Sequence, residues 1–244
     1  MRRLIVLGSG DAFATGGRHT TSFLLDAERE GYLIDCGVST LVRLKQINYP
    51  ISNLRGIFLS HFHGDHFGGV PFVLLSLMFE SASNESFFIT GPRGVKSKIE
   101  ELQELMYPGT GSFVQDLGIE FIEYDQKWQR MDDITVKALP VMHDPASSPH
   151  GLKFKWNDKM LAFSGDTQWD YNLIELASKT EIFITECNNY ERNSPGHLSL
   201  NTLEENSSKL DSNRIILSHM GRDVLELKRC PFERLYDGME IPLW

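Results

Sequence analysis

Residues 60–69 read Ser60-His61-Phe62-His63-Gly64-Asp65-His66-Phe67-Gly68-Gly69, directly after the apolar stretch Gly56–Leu59, which predicts a strand. Three histidines and one aspartate lie within the six positions 61–66. Imidazole and carboxylate groups are ligands that Zn²⁺ prefers. Side chains two positions apart at a strand end point the same way, and we expect Gly64 to turn the backbone so that Asp65 and His66 come close. A polar loop whose histidines only cap a helix is the alternative. The density of ligand-type residues favours a metal site.

Three further ligand-type residues each follow an apolar, strand-like stretch. His143 follows Leu139-Pro140-Val141-Met142, Asp166 lies in Phe163-Ser164-Gly165-Asp166-Thr167, and His219 follows Ile215-Ile216-Leu217-Ser218. Each residue alone could be a surface histidine or an aspartate that caps a helix. Combined with residues 60–69, they give seven ligands, enough for two metal ions that share one carboxylate: His61, His63, Asp65, His66, His143, Asp166 and His219.

Composition and charge exclude several classes of protein. The 244 residues are 41% hydrophobic and 23% charged, which is typical of a globular chain, and the longest apolar run, Val70–Phe79, is too short to cross a bilayer. A net charge of −9 argues against a protein that grips a long nucleic acid. Three cysteines without Cys-x-x-Cys spacing are typical of buried thiols in a reducing compartment. We therefore expect a cytoplasmic protein with no membrane segment.

Strand-like and helix-like stretches alternate along the chain, and we find no linker or repeat, so we expect one α/β domain over residues 1–244. The first three strands are separated by polar, Gly-containing turns and are expected to be antiparallel. The predicted strands are Arg3–Leu7, Thr21–Leu25, Tyr32–Asp35, Gly56–Leu59, Phe87–Thr90, Glu120–Tyr124, Ile134–Val141, Leu152–Lys155, Lys159–Phe163, Ile182–Thr185 and Arg214–Leu217. The predicted helices are Thr40–Ile47, Pro71–Phe79, Arg93–Met106, Trp169–Ser178 and Asn201–Leu210, the last capped by Asn201 with Glu204 three residues on.

The order and spacing of the seven ligands resemble those of the metallo-β-lactamase superfamily, along nearly the whole chain. The resemblance implies an α/β fold (α+β in some schemes), a four-layer αβ/βα sandwich with the site at one edge of two facing sheets. It also implies that Asp166 bridges two metal ions. The first ion would be held by His61, His63, His143 and Asp166, and the second by Asp65, His66, Asp166 and His219.

Further motifs resemble those of the tRNase Z-like phosphodiesterase branch of that superfamily. The motifs are Leu7-Gly8-Ser9-Gly10-Asp11-Ala12, Ile34-Asp35-Cys36-Gly37, Phe163-Ser164-Gly165-Asp166-Thr167 and Thr185-Glu186-Cys187-Asn188 with His197-Leu198-Ser199. The last pair resembles the motifs in which a glutamate and a later histidine assist catalysis. By this resemblance His197 is a candidate proton donor, and Glu186 is a candidate for the residue that orients His197. Asp35 and Glu186 are also expected to form hydrogen bonds that support the metal ligands.

The interval from His143 to Asp166 departs from the tRNA-processing members, because it spans only 23 residues. In those enzymes a long arm inserted here grips the tRNA. The short interval and the acidic charge disfavour a tRNA substrate, and the chain is more similar to the small cyclic-nucleotide phosphodiesterases of the anti-Pycsar type. The homodimer of that family is expected as well.

These features predict a dinuclear metal-dependent phosphodiesterase. It would hydrolyse 3′,5′-cyclic nucleoside monophosphates to nucleoside monophosphates with a metal-bridging hydroxide, which Asp65 helps to place in line with phosphorus. Two divalent ions per chain are expected, zinc first and manganese as the alternative. The expected partner is a small anionic nucleotide, with no membrane and no long nucleic acid. The alternatives are a tRNase Z-like RNA 3′-end endonuclease and an acyl hydrolase that acts on lactones or thioesters.

Overall fold

The computed structural model describes residues 2–80, 86–111, 114, 117–191 and 194–244. Two compact units make up the chain. Unit 1 comprises Met1–Gly8, His19–Glu123 and Asp237–Trp244, and unit 2 comprises Ser9–Arg18 and Tyr124–Tyr236. Each unit contains one seven-stranded sheet and several helices.

The sheet of unit 1 is antiparallel on one side and parallel on the other. Its order is β14-β1-β2-β3-β4-β5-β6, and the pairing is antiparallel from β14 to β3 and parallel from β3 to β6. Among the parallel strands, β3 and β5 are buried along their whole length, whereas the edge strand β6 is partly exposed. The strands are β1 (Arg3–Gly8), β2 (Ser22–Asp26), β3 (Gly31–Ile34), β4 (Leu54–Phe58), β5 (Phe88–Gly91), β6 (Glu120–Glu123) and β14 (Glu240–Pro242).

The helices of unit 1 are α1 (Thr40–Gln46), α2 (Gly64–Phe67), α3 (Val70–Glu80) and α4 (Val95–Met106). In α4 the side chains of Val95 and Ile99 are buried, whereas the lysines between them are exposed. This spacing is that of an amphipathic helix. The buried face joins Leu33 and Ile57 of the sheet in one hydrophobic cluster.

The sheet of unit 2 has the order β13-β12-β11-β10-β9-β8-β7, antiparallel from β7 to β10 and parallel from β10 to β13. A two-residue turn joins β9 to β10, and its Asn157 has a left-handed φ of 55°. The strands are β7 (Gln129–Met131), β8 (Ile134–Pro140), β9 (His150–Trp156), β10 (Lys159–Phe163), β11 (Ile182–Glu186), β12 (Ile215–Ser218) and β13 (Glu233–Arg234). The helices are α5 (Asn172–Ala177), α6 (Leu200–Asn206) and α7 (Arg222–Leu225).

All eleven predicted strands and all five predicted helices are present, with ends shifted by a few residues. The antiparallel order of the first three strands is confirmed. The predicted cap of α6 is wrong, because Ser199 is the cap and its hydroxyl accepts a hydrogen bond from the amide of Thr202. None of the helices in the described part of the chain is long and apolar enough to cross a bilayer.

Candidate metal centre

Unit 1 gathers its four predicted ligands in the segment that follows β4. His61 comes three residues after the end of this strand, and His66 lies on the short helix α2. The His61 ring centroid is 4.9 Å from that of His63 and 4.1 Å from that of His66. The Oδ2 atom of Asp65 lies 3.3 Å from Nε2 of His66. Histidine and carboxylate donors therefore converge here within a single unit.

Asp35 holds two of these histidine rings in place. It follows β3, is fully buried, and has a left-handed φ of 57°. Its carboxylate accepts hydrogen bonds from the amide and the hydroxyl of Ser60, each at 2.7 Å, and from Nδ1 of His66 at 2.6 Å. The Ser60 hydroxyl oxygen in turn accepts from Nδ1 of His61 at 2.9 Å. With both Nδ1 atoms carrying the hydrogen, Nε2 of each ring carries the lone pair that a metal ligand needs.

Burial controls the titration of the groups behind these rings. Burial raises the pKa of Asp35. The neighbouring His66 and the hydrogen bonds from Ser60 lower this pKa, but their effect is smaller, so the net shift is upward. Burial also raises the pKa of the adjacent Cys36 thiol to about 12. A thiol of this kind is a poor nucleophile, as expected for a buried structural cysteine.

The backbone around α2 is held by close packing against the segment after β3. The amide of Cys36 donates to the carbonyl of His66 at 2.6 Å, and the amide of Gly69 donates to the carbonyl of Cys36 at 2.8 Å. A Cβ atom on Gly37 would lie 2.3 Å from the carbonyl oxygen of Asp65. Glycine is not required at Gly64, because a Cβ atom there would meet nothing within 4 Å and its φ is not positive. The close approach requires glycine at Gly37 instead.

Unit 2 brings its three predicted ligands to one edge of its sheet. His143, Asp166 and His219 follow the ends of β8, β10 and β12, three strands that run in the same direction. The Oδ2 atom of Asp166 lies 3.2 Å from Nε2 of His219 and 3.9 Å from Nε2 of His143. Asp166 thus lies between the two imidazoles, as a shared ligand would.

The two candidate catalytic residues lie beside these ligands. The fully buried carboxylate of Glu186, at the end of β11, lies 3.1 and 3.2 Å from Nδ1 of His197. It also accepts from the amides of Thr167 at 2.5 Å and Leu198 at 3.2 Å. The His197 ring packs between those of His143 and His219, with centroids 4.8 and 5.5 Å away.

The pKa values of Glu186 and His197 depend on each other. Burial raises the pKa of Glu186, although the hydrogen bond with His197 lowers it. Burial lowers the pKa of His197, but the hydrogen bond and charge of Glu186 outweigh that effect, so the net shift is upward.

His143 is oriented by a residue that sequence reasoning missed. Its Nδ1 atom lies 2.7 Å from the carbonyl oxygen of Gly196, so Nδ1 donates and Nε2 carries the lone pair. Ser60 was missed as well, although its position directly before His61 offers a local signal. No local signal marks Gly196, which lies 53 residues from its partner.

The donor sets fit divalent metal ions. Ligands 2.1 Å from a tetrahedral zinc ion lie about 3.4 Å from each other. The nitrogen and oxygen atoms within each unit are separated by comparable distances, 3.3 Å in unit 1 and 3.2 to 3.9 Å in unit 2. The hydrogen bonds behind His61, His66 and His143 also fix the tautomer that a metal requires. The assignment of individual ligands and catalytic roles stays a prediction.

Comparisons with known proteins support the predicted superfamily. The protein-family model described as anti-Pycsar protein Apyc1 matches residues 2–232 of this chain. The anti-Pycsar protein Apyc1 of Bacillus phage 010DV004 is 27% identical over 233 residues, which cover 91% of this chain and 90% of the phage protein. A ribonuclease Z of Parabacteroides distasonis is 31% identical over 150 residues, 62% of this chain. That match spans only 44% of the ribonuclease Z.

A solved structure confirms the fold. The metallo-β-lactamase fold protein YhfI from Bacillus subtilis superposes with a TM-score of 0.79 at 17% identity, over 99% of this chain and 100% of that one. At this identity the similarity shows the fold alone. The predicted superfamily and its fold class are therefore confirmed.

Proposed function

This chain belongs to the family of the anti-Pycsar protein Apyc1, and from that premise we propose that it opens 3′,5′-cyclic nucleoside monophosphates to nucleoside monophosphates. The match to the phage protein supports this substrate class, because it extends along nearly the full length of both chains. The observation that carries the proposal is the Glu186–His197 pair, which lies beside His219 in the unit that also holds His143 and Asp166.

We propose that seven residues hold two divalent metal ions, with Asp166 as the shared ligand. Zinc is the proposed metal and manganese the alternative, since imidazole and carboxylate donors suit both. When bound, such a pair of ions supplies a nucleophile at neutral pH and neutralises charge on the phosphate oxygens. The proposed ligands are His61, His63, Asp65, His66, His143, Asp166 and His219.

His197 is the proposed proton donor. Opening a cyclic phosphodiester releases a ribose oxygen, which is a poor leaving group and needs a proton as its bond to phosphorus breaks. The carboxylate of Glu186 faces Nδ1 of His197, so Nε2 is the ring nitrogen that can give a proton to that oxygen. Glu186 is fixed by the amides of Thr167 and Leu198, so it orients the ring. Asp65 is proposed to help place the nucleophile in line with phosphorus.

The stretch between His143 and Asp166 favours a small substrate. All of residues 143–166 are described, and they form one 3₁₀ turn, Pro145–Ser147, and the hairpin of β9 and β10. This stretch contains no arm that could hold a folded RNA. A net charge of −9 likewise gives little attraction for a long polyanion.

We propose that the protein acts as a homodimer in the cytoplasm. Exposed apolar side chains on α1 and α3 support self-association, among them Val42 and Phe79, the latter 72% exposed. Phe79 lines a small cavity together with Leu41, Phe72 and Leu75. The buried free thiols of Cys36 and Cys187 fit a reducing compartment. Light scattering after gel filtration tests the dimer, and a monomeric mass would contradict it.

Product analysis by chromatography tests the proposed activity. The metal-loaded protein is incubated with purine and pyrimidine 3′,5′-cyclic mononucleotides, with a precursor tRNA and with a lactone. We expect opening of cyclic nucleotides that a chelator abolishes and that Asp166→Ala loses together with bound metal. Cleavage of the tRNA or the lactone alone, by protein with metal shown to be bound, would replace the proposal with the corresponding alternative.

A further inference from the structure

Thr167 follows the candidate ligand Asp166 directly and is fully buried in unit 2. Its backbone amide donates to Oε1 of Glu186 at 2.5 Å, one of the contacts that fix this carboxylate. The side-chain hydroxyl of Thr167 has no part in the proposed reaction. It nevertheless makes hydrogen bonds of its own, and these lead to a different candidate ligand.

The Thr167 hydroxyl connects the loop after β10 to the loop after β8. Its oxygen accepts a hydrogen bond from the amide of Met142 at 3.1 Å. It donates to the carbonyl oxygen of Gln168 at 2.6 Å, the closer of its two acceptors. The amide of Gln168 in turn donates to the carbonyl oxygen of Met142 at 2.9 Å. Both backbone groups of Met142, the residue before His143, are therefore held by the segment that follows Asp166.

The pairing of the strands does not by itself set the distance between His143 and Asp166. These residues follow β8 and β10, and β9 lies between the two strands in the sheet. Each residue also lies three positions beyond the end of its strand. The Oδ2 atom of Asp166 is nevertheless only 3.9 Å from Nε2 of His143. The hydrogen bond between Met142 and Thr167 joins the two loops directly, next to both ligands.

We propose that Thr167 is a positioning residue for the candidate metal centre. Its hydroxyl holds His143 at the distance from Asp166 that a shared metal ion requires, and it acts through the amide of Met142 rather than by contact with the ion. The inference rests on the proposed metal ligands and not on the proposed substrate. The contact with Glu186 comes from the backbone amide, so the side chain of Thr167 influences metal binding and leaves the Glu186–His197 pair unchanged.

Zinc titration in competition with a chelating dye tests the role of the hydroxyl. Thr167→Val keeps the branched shape of threonine but leaves the amide of Met142 without its acceptor. We expect this variant to bind zinc about tenfold more weakly, at the lower end of the effect of groups that support metal ligands. Thr167→Ser keeps the hydroxyl and should bind zinc as the wild type does. Thr167→Ala also lacks the hydroxyl and takes the place of the valine variant if that protein does not fold.

Thr180→Val is the matched control. Thr180 is 2% exposed in the same unit, and its hydroxyl donates to the carbonyl oxygen of Ala177 at 2.8 Å. It lies before the start of β11, whereas Glu186 lies at the other end of that strand. Both valine variants lose a buried hydroxyl, so urea unfolding of the metal-free proteins should show both to be destabilised. Only Thr167→Val should lose zinc affinity.

Turnover at saturating metal separates the metal from the proton donor. For Thr167→Val, the ratio of the rates on a cyclic nucleotide and on bis(p-nitrophenyl) phosphate should equal the ratio for the wild type, because the contact of Glu186 with His197 remains. A ratio that falls as it would after loss of His197 would contradict the proposed division between side chain and backbone.

Three results of the zinc titration would overturn the inference. They are equal affinity in Thr167→Val and the wild type, a Thr167→Ser protein that binds no better than Thr167→Val, and an equal loss in Thr180→Val. A wild-type protein that binds neither zinc nor manganese would overturn the proposed ligands together with the inference. Weakened zinc binding by Thr167→Val alone would support the inference even if the wild type opened no cyclic nucleotide, which would count against the proposed reaction only.

Discussion

The carbonyl oxygen of Gly196 accepts a hydrogen bond from Nδ1 of His143, 2.7 Å away, across 53 residues of sequence. Gly196 has a φ of 81°, and a Cβ atom on it would lie 2.7 Å from that same Nδ1. The backbone of one loop thereby fixes both the tautomer and the orientation of a candidate ligand. Carbonyl partners of this kind commonly support metal-binding histidines.

Gly196→Ala is expected to lower metal affinity about 10- to 100-fold, because the added methyl group displaces the His143 ring. Gly109→Ala is the matched control, since Gly109 has a φ of 84° and a Cβ atom there would meet nothing within 4 Å. Both variants carry the backbone strain of a left-handed alanine, but only one disturbs a histidine. Competition with a chelating dye measures the affinity. Equal zinc affinity in the two variants would contradict the role of His143 as an oriented ligand.

His197→Ala is expected to keep its bound metal and to lower turnover of a cyclic nucleotide about 10²- to 10⁴-fold, the range for general acids. The effect should be far smaller with bis(p-nitrophenyl) phosphate, since p-nitrophenolate leaves without a proton. Metal content by atomic emission and initial rates on both substrates make the comparison. Unchanged turnover, or an equal loss on both substrates, would remove the proton-donor assignment.

Asp35→Asn is expected to cost about 1 to 3 kcal/mol of stability, because one acceptor oxygen becomes an amide that cannot accept from Ser60 or His66. Metal affinity should fall about 10- to 100-fold as the His66 ring loses its anchor. Asp132→Asn is the control, an exposed aspartate that also has a left-handed φ, 49°. Urea unfolding of the metal-free proteins and zinc titration measure the two effects. An Asp35→Asn protein that matches the control in both would show that Asp35 is dispensable.

Local sequence patterns predict the strand ends, and the strand ends position the candidate ligands. His143, Asp166 and His219 each follow an apolar run, and the three runs form strands whose ends meet at one sheet edge. The short strands β7, β13 and β14 were missed because two or three residues carry too little periodicity.

Side-chain partners were harder to predict than strands. The start of α6 depends on the burial of Leu200 and Leu203, which places Ser199 at the cap although Asn201 has the better local pattern. The contact of Gly196 with His143 depends on the packing of two distant loops. Such contacts are set by tertiary structure, which a local pattern of residues does not contain.

A further prediction concerns Lys153 and its contribution to the stability of the folded chain at different pH values. Lys153 lies on β9, is 6% exposed, and donates to the carbonyl oxygens of Glu175 at 2.8 Å and Ser178 at 2.6 Å, at the end of α5. Lys153→Met is expected to cost about 1 to 3 kcal/mol at pH 7, because two carbonyl oxygens lose a charged donor. Lys155→Met, at an exposed position on the same strand, should change stability little.

Burial lowers the pKa of Lys153 in the folded chain. Between this lowered pKa and the ordinary lysine value the unfolded chain binds more protons, so the contribution of Lys153 to stability rises with pH in that window. The stability deficit of Lys153→Met relative to the wild type should therefore grow as the pH is raised from 7 toward 10. Urea unfolding of the wild type and both lysine variants at several pH values measures it. A deficit that is constant or shrinks with pH would show that burial does not disfavour the charged amine.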